Sequence, residues 1–401
     1  MYIPLLLALA GAVSAVSCDS NNKCPKDKPC CSQYGECGIG AYCLAGCDPI
    51  SSFDLQACVP QPVCKNLKTT FNNLDLLASV STYLGNASEY DWTYDGTPLV
   101  YDNDMLLTMP NNSVGTVISS THYMWYGNVK ATMKTSHDQG VVTAFILFSG
   151  VKDEIDFEFV GADLETAQTN YFFQGVLNYT NSMNISTTDT FSNFHTYELD
   201  WTEDRIEWRL DGQTYRTLNK ADTYNATDDT YMYPQTPARV QLSIWPGGLS
   251  TNAPGTIEWA GGEINWNSQD MQEYGYYYAT LSDVEITCYG PPSGTKSNGT
   301  TSYIYLSDSG LQEDVMITDL NTILGSWNAT GDDMKEDLLS QSNAETTGDN
   351  IATARTTATG FVQDTDSNPS SSSSHSFAAK NTLSSYALIA AILAPLVIFV
   401  I

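Results

Sequence analysis

The chain has 401 residues, enough for one large domain with small appendages, and 46 Asp and Glu against 17 Lys and Arg give it a formal charge of −29. So acidic a balance argues against nucleic acid as a partner, because phosphates require basic side chains, and against adsorption to anionic lipid. It suits an acidic extracellular matrix or plain solubility.

In chain order, residues 3–13 form an apolar run followed by Val13-Ser14-Ala15, a small-residue cleavage pattern. Residues 1–17 are therefore expected to be a signal peptide, cut after Ala15 or Ser17. Nine of the ten cysteines lie in residues 18–64, and the tenth is Cys288. In a secreted chain this density predicts a small disulfide-stapled module, since so short a stretch cannot build an adequate core. Zinc is the rival for clustered cysteines. The adjacent Cys30-Cys31 pair, the lack of histidine nearby and the oxidising compartment disfavour it. The spacing from Cys18 through Cys24, Cys30-Cys31, Cys37 and Cys43 to Cys47 resembles the hevein-type chitin-binding module. That resemblance implies the bonds Cys18–Cys31, Cys24–Cys37 and Cys30–Cys43. Extrapolation adds Cys47–Cys58 and leaves Cys64 for Cys288. It also implies a groove for N-acetylglucosamine on Ser32, Tyr34 and Tyr42, with Glu36 standing where a further ring belongs. The alternative is a structural cap over the domain that follows.

From about Lys65 to Gly290 the pattern is all-β: short aromatic and β-branched runs between turn residues, without sustained helical periodicity. Gly140 to Phe148 is a near-continuous apolar run, expected as a buried strand beside the segment after it. His195–Trp201 and Arg205–Leu210 flank a Thr-Glu-Asp turn, and Asp211-Gly212 supplies another tight turn. So long a run of this kind predicts a β-sandwich. Aromatics exceed what a core needs: Trp125, Tyr126, Trp245, Trp259, Trp266 and the cluster Tyr274, Tyr276, Tyr277, Tyr278. Sugar rings stack on such faces, so a glycan cleft is expected, with core packing the alternative for each ring. His122, His137 and His195 form no metal spacing and read as structural.

After Pro292 the strand pattern fades. Residues 291–375 are rich in Ser, Thr, Asp and Gly and are expected to form an O-glycosylated stalk, with 303–306 and 315–317, too apolar for pure linker, as candidates to pack back on the sandwich. Residues 376–401 end in an apolar run from Tyr386 to the last residue, which reads as a glycosylphosphatidylinositol (GPI) attachment signal rather than a tail-anchoring helix. Seven sequons, at Asn86, Asn111, Asn178, Asn184, Asn225, Asn298 and Asn328, agree with secretion.

The chemistry centres on Asp153 to Phe159, where Glu154, Asp156 and Glu158 alternate strictly with Ile155, Phe157 and Phe159. Period-two alternation marks a strand with one buried face. The other face, expected to be exposed, carries three carboxylates that repel and raise one another's pKa. Glycoside hydrolysis or transfer uses such a pair. Four strand steps separate the Cα atoms of Glu154 and Glu158 by about 13 Å, and leaning side chains could close most of that gap. Both the retaining and the inverting outcome remain open on this arithmetic.

Glu-Ile-Asp-Phe-Glu at 154–158 resembles the active-site strand of glycoside hydrolase family 16. The text from Tyr123 to Gly127, from Gly161 to Asn170, from Ser243 to Gly248 and from Gly255 to Trp259 is similar to the Crh family of fungal cell-wall transglycosylases. The resemblance implies an all-β concanavalin-like jelly roll, with Glu154 as nucleophile, Asp156 as its helper and Glu158 as general acid/base. It implies that Arg239, Trp245 and Thr256, and also Trp125, line the substrate cleft with Glu158. It further implies a chitin donor, a β-1,6- or β-1,3-glucan acceptor, no cofactor, and a monomer held outside the cell in the wall and at the membrane by a GPI anchor; no metal ligand is assigned, and a structural metal on the sandwich stays open. An endo-hydrolase of β-glucan or chitin, or a non-catalytic wall lectin, are the competing readings.

Overall fold

The computed structural model describes residues 16–335. The expected signal peptide up to Ala15, the part of the stalk after Lys335 and the attachment signal lie outside the described residues.

Two eight-stranded sheets make the body. In chain order the strands are β1 (Leu67–Thr70), β2 (Leu77–Ser79), β3 (Trp92–Asp95), β4 (Thr97–Tyr101), β5 (Asp104–Pro110), β6 (Thr116–Ser120), β7 (Gly127–Lys134) and β8 (Val141–Ser149). They continue as β9 (Glu154–Val160), β10 (Thr166–Phe172), β11 (Met183–Ser186), β12 (His195–Trp201), β13 (Arg205–Leu210), β14 (Gln213–Asn219), β15 (Ala238–Pro246) and β16 (Tyr276–Cys288). One sheet runs β11-β10-β9-β8-β15-β6-β3-β2; the other runs β14-β13-β12-β7-β16-β5-β4, with β1 also on β16. Two short helices, α1 (Pro254–Trp259) and α2 (Gln269–Glu273), precede β16.

The alternation in β9 decides how the layers meet. Phe157 and Phe159 face inward and meet Tyr197 of β12 at ring distances of 5.4 and 4.6 Å. The apolar strand β8 pairs antiparallel with β9, Phe145 opposite Phe157, and with β15 on its other side. Every residue of β8 is buried, as a near-continuous apolar run predicts. The hairpin β12–β13 forms across the Thr-Glu-Asp turn, and Asp211 and Gly212 take the left-handed φ values (50° and 78°) that a tight hairpin turn needs.

The stalk expected from residue 291 is corrected over 296–335. There β17 (Ser302–Tyr305) pairs with β18 (Val315–Thr318) and with Gln61–Pro62 ahead of the body. Tyr303, Tyr305 and Val315 join the main core. Burial of these apolar faces outweighs the polar composition around them.

The five disulfides join Cys18–Cys31, Cys24–Cys37, Cys30–Cys43, Cys47–Cys58 and Cys64–Cys288. The module starts at Val16 rather than Cys18: the Val16 carbonyl accepts from Cys37 N at 2.8 Å, and Ser17 bridges Glu36. Tyr42, Leu44 and Val59 of the module share a buried cluster with Ala78 and Tyr83 of the body and Leu324 and Ala329 of the C-terminal segment. Gly40 is required at that contact: at φ 61°, an added Cβ would stand 2.3 Å from the Trp327 carbonyl oxygen.

Candidate active site

Strand β9 lies inside its sheet, between β8 and β10, so the rows of side chains across its outward face can be read from the register. One row runs Phe172, Glu154, Phe148, Arg239. The next runs Asn170, Asp156, Ile146, Gln241, and the third Gln168, Glu158, Ala144, Ser243. The three carboxylates therefore share one face, opposite Phe157. They are not exposed as expected: Glu154, Asp156 and Glu158 retain only 1–3 % of their surface. Buried neighbours in every row stand beside them, which removes them from water.

Burial and mutual charge set their protonation. Glu158 is pushed up to about 8, first by desolvation and then by the charge of Glu154. Asp156 is raised well above the usual carboxylate range, first by desolvation, then by the charges of Glu154 and Glu158 and a side-chain hydrogen bond with Glu154; Arg216 opposes the shift. Two carboxyl groups hydrogen bond only when one holds a proton. With both ionised, neither oxygen of Asp156 has a donor, nor does Glu158 Oε1. Buried polar atoms without partners are rare, and each calls for a reason. Here Asp156, Glu158 and Trp245 Nε1 combine such atoms on one face.

Trp245 lies one row beyond Glu158, opposite Val142, and stacks on Trp259 of α1 at 5.9 Å. Trp259 Nε1 donates to Gln168 Oε1 at 2.8 Å, tying the helix to the Glu158 row. Thr256 is buried one turn earlier in α1. Arg239 stands in the Glu154 row, and its guanidinium donates to the Ser120 carbonyl and to Thr93 Oγ1, both at 2.7 Å. Trp125 is a correction: it does not reach this face. It lies in the main core, stacked on Tyr126 and edge-on to Tyr303, and donates to the Gln235 carbonyl at 2.9 Å.

The module borders the same face. Gln241 Nε2, in the Asp156 row, donates to Gln33 Oε1 at 3.1 Å. Gln33, Tyr34, Leu44 and Ala45 close over Thr93, Val117, Ser119 and Arg239, leaving a crevice of about 30 Å³. Ser32 and Tyr42 are buried, Tyr42 within the cluster shared with the body, whereas Tyr34 is half-buried. The expectation of an open sugar groove on Ser32, Tyr34 and Tyr42 is thus corrected for Tyr42, which docking onto the body covers, and for Ser32, which is buried within the module where its hydroxyl accepts from Tyr34 N and Glu36 N.

Asp153 opens the acidic stretch in the sequence but received no role there; it immediately precedes β9. Buried, it accepts from Gln174 N (3.0 Å), Gln235 N (2.9 Å), Thr236 N (3.1 Å) and Thr236 Oγ1 (2.7 Å), and burial raises it to about 6 against those donors. It fixes the start of β9 to two loops. Arg216 was also missed. Its guanidinium sits 4.3 Å over Trp208, whose Nε1 donates to the Asp156 carbonyl, and desolvation lowers its pKa to about 10.

The family model for glycosyl hydrolases family 16 matches residues 86–261, which include β9 and its neighbours. Crh-like protein 3 of Botryotinia fuckeliana is 56% identical over 82% of this chain and 74% of its own. Congo red hypersensitive protein 2 of Saccharomyces cerevisiae is 58% identical over 79% of this chain and 69% of its own. The chain belongs to the Crh family of glycosyl hydrolases. Among solved structures, the apo Crh5 transglycosylase is similar, with a TM-score of 0.53 and 29% identity over 65% of this chain and 96% of that one. The sandwich of this Crh-family enzyme is the jelly roll of family 16. All seven sequon asparagines lie at least partly at its surface.

Proposed function

We propose that this enzyme is a retaining transglycosylase that cleaves chitin and joins the freed end to β-1,6- or β-1,3-glucan, cross-linking the fungal cell wall. The observation that carries the reading is Glu154 and Glu158 on one face of a single strand inside the family 16 match, with burial raising Glu158. An acid that keeps its proton beside a second carboxylate is the pairing that glycosidases use, and membership of family 16 favours the retaining form.

In the first step a carboxylate oxygen of Glu154 attacks the anomeric carbon, the bond to the leaving oxygen breaks, and Glu158 gives that oxygen its proton. Asp156, protonated, donates to Glu154 and spreads its charge. In the second step Glu158, now a carboxylate, takes the proton of an acceptor hydroxyl, which displaces Glu154. A glucan hydroxyl as acceptor gives transfer; water gives hydrolysis. The named activity of the Crh5 relative, and the structure of that protein with N-acetylglucosamine, support a chitin donor and transfer. The five disulfides and the surface sequons support secretion, and the apolar 386–401 tail supports a GPI anchor.

The test is incubation with chito-oligosaccharide and a fluorescent laminari-oligosaccharide, followed by chromatography. The reading expects fluorescent products lengthened by N-acetylglucosamine units. Shortened donor without lengthened acceptor would make it an endo-hydrolase, and unchanged sugars a lectin.

A further inference from the structure

The sandwich carries a second aromatic surface, on the side away from the carboxylates. Along β16 the inward residues Tyr277, Ala279 and Leu281 are buried in the core, while Tyr276, Tyr278 and Thr280 face out. Tyr274, Tyr276 and Tyr278 stand 6.1 to 6.4 Å from one another between ring centres. Phe191 extends the array to Tyr278 at 5.7 Å. Tyr101 closes the far side at 71 % exposure, and Phe194 is exposed with Lys134 Nζ 4.7 Å over its ring. Together they line a groove of about 650 Å³ whose rim includes Asp102 and Asp104.

Exposed rings grouped in a groove are unusual on a soluble face and mark a binding surface. The chemistry of the lining selects among ligands. Its apolar area is aromatic rather than aliphatic, with phenol hydroxyls and carboxylates at the edges, which matches the C–H faces and hydroxyls of a pyranose. A chain of charge −29 repels a second copy of itself, and the rim carboxylates repel anionic ligands. The backbone beneath the groove is already paired, Tyr276–Leu281 with Met105–Pro110 and Thr280 with Lys134. The rim carboxylates only accept, which suits the hydroxyl donors that a glucan carries along its length.

We infer that this groove is a second glycan site, taking a neutral β-glucan strand on the face opposite the catalytic carboxylates. It holds the polymer while the other face works on a chain end. The inference stands on this surface and does not require transfer as the reaction.

Binding is read by native electrophoresis in gels with and without laminarin, using the full-length secreted protein in a Glu154→Gln background so that nothing is turned over. Tyr276→Ala with Tyr278→Ala, and separately the exposed pair Tyr101→Ala with Phe194→Ala, should each weaken laminarin retention about tenfold or more, the loss of one good ring contact or better. The same pairs in an otherwise unaltered enzyme should leave turnover of short oligosaccharides unchanged, and the exposed pair Tyr101→Ala with Phe194→Ala should leave the melting temperature unchanged as well. Retention unaltered in both pairs, or no retention of the parent, overturns the inference. So does loss of binding to colloidal chitin with laminarin binding intact. A parent that binds laminarin through these rings yet transfers no sugar would count against the proposed reaction alone.

Discussion

At the scale of single residues, the account turns on three carboxyl groups sharing a dry face. Glu158→Gln removes the proton donor and should cut turnover by about 10²–10⁴-fold, read as initial rates of transfer. With Glu158 raised to about 8, activity should fall on the alkaline side through that pH. The same shift has a sign for stability. The folded state binds this proton more tightly than an unfolded chain with its ordinary 4.5, so stability contributed by Glu158 is fully present below 4.5 and is lost as pH rises through about 8. Melting curves of Glu158→Gln should therefore show a flatter decline than wild type between those pH values. The trio was legible because a strand repeats every two residues, so three acids at alternate positions share a face whatever the fold. Trp125 misled because a tryptophan beside Tyr126 serves a core and a cleft equally well, and only the packing of Tyr303 against it decides.

At the scale of elements, β9 is held by what surrounds it. Asp153→Ala would leave three backbone amides and one hydroxyl without their acceptor and should cost about 2–4 kcal/mol, measured by chemical denaturation. Its catalytic rate at low temperature should fall as well, because the start of β9 loses its tether. This role was invisible in the sequence, since the donors come from Gln174, Gln235 and Thr236, far along the chain. By contrast β8, the β12–β13 hairpin and the Asp211-Gly212 turn could be read locally, from apolar runs and turn residues. The short strands β17 and β18 could not. Their apolar residues mark them off from a linker, but four-residue strands in Ser- and Thr-rich text give too few alternations to be placed, and β17's partner Gln61–Pro62 lies more than two hundred residues earlier.

At the scale of the whole molecule, the module, the sandwich and the C-terminal segment form one packed body. A chain ended at residue 290 loses the burial of Tyr303, Tyr305 and Val315, worth on the order of 5 kcal/mol, and should be secreted poorly or melt far lower than one ended at residue 335. Replacing Cys64 and Cys288 together by serine opens the bond that joins the start of the body to its last long strand and should cost about 2–5 kcal/mol by denaturant titration. The cysteine spacing made the module legible, but its seat on the carboxylate face was not, because docking depends on side chains such as Gln33 and Leu44 that look ordinary in sequence. All these scales converge on a sugar briefly bonded to one glutamate. Mass spectrometry of the Glu158→Gln variant after exposure to a chito-oligosaccharide with a reactive leaving group tests this directly. The account predicts a glycosyl adduct on Glu154, and an adduct on any other residue, or full turnover by Glu154→Gln, would contradict it.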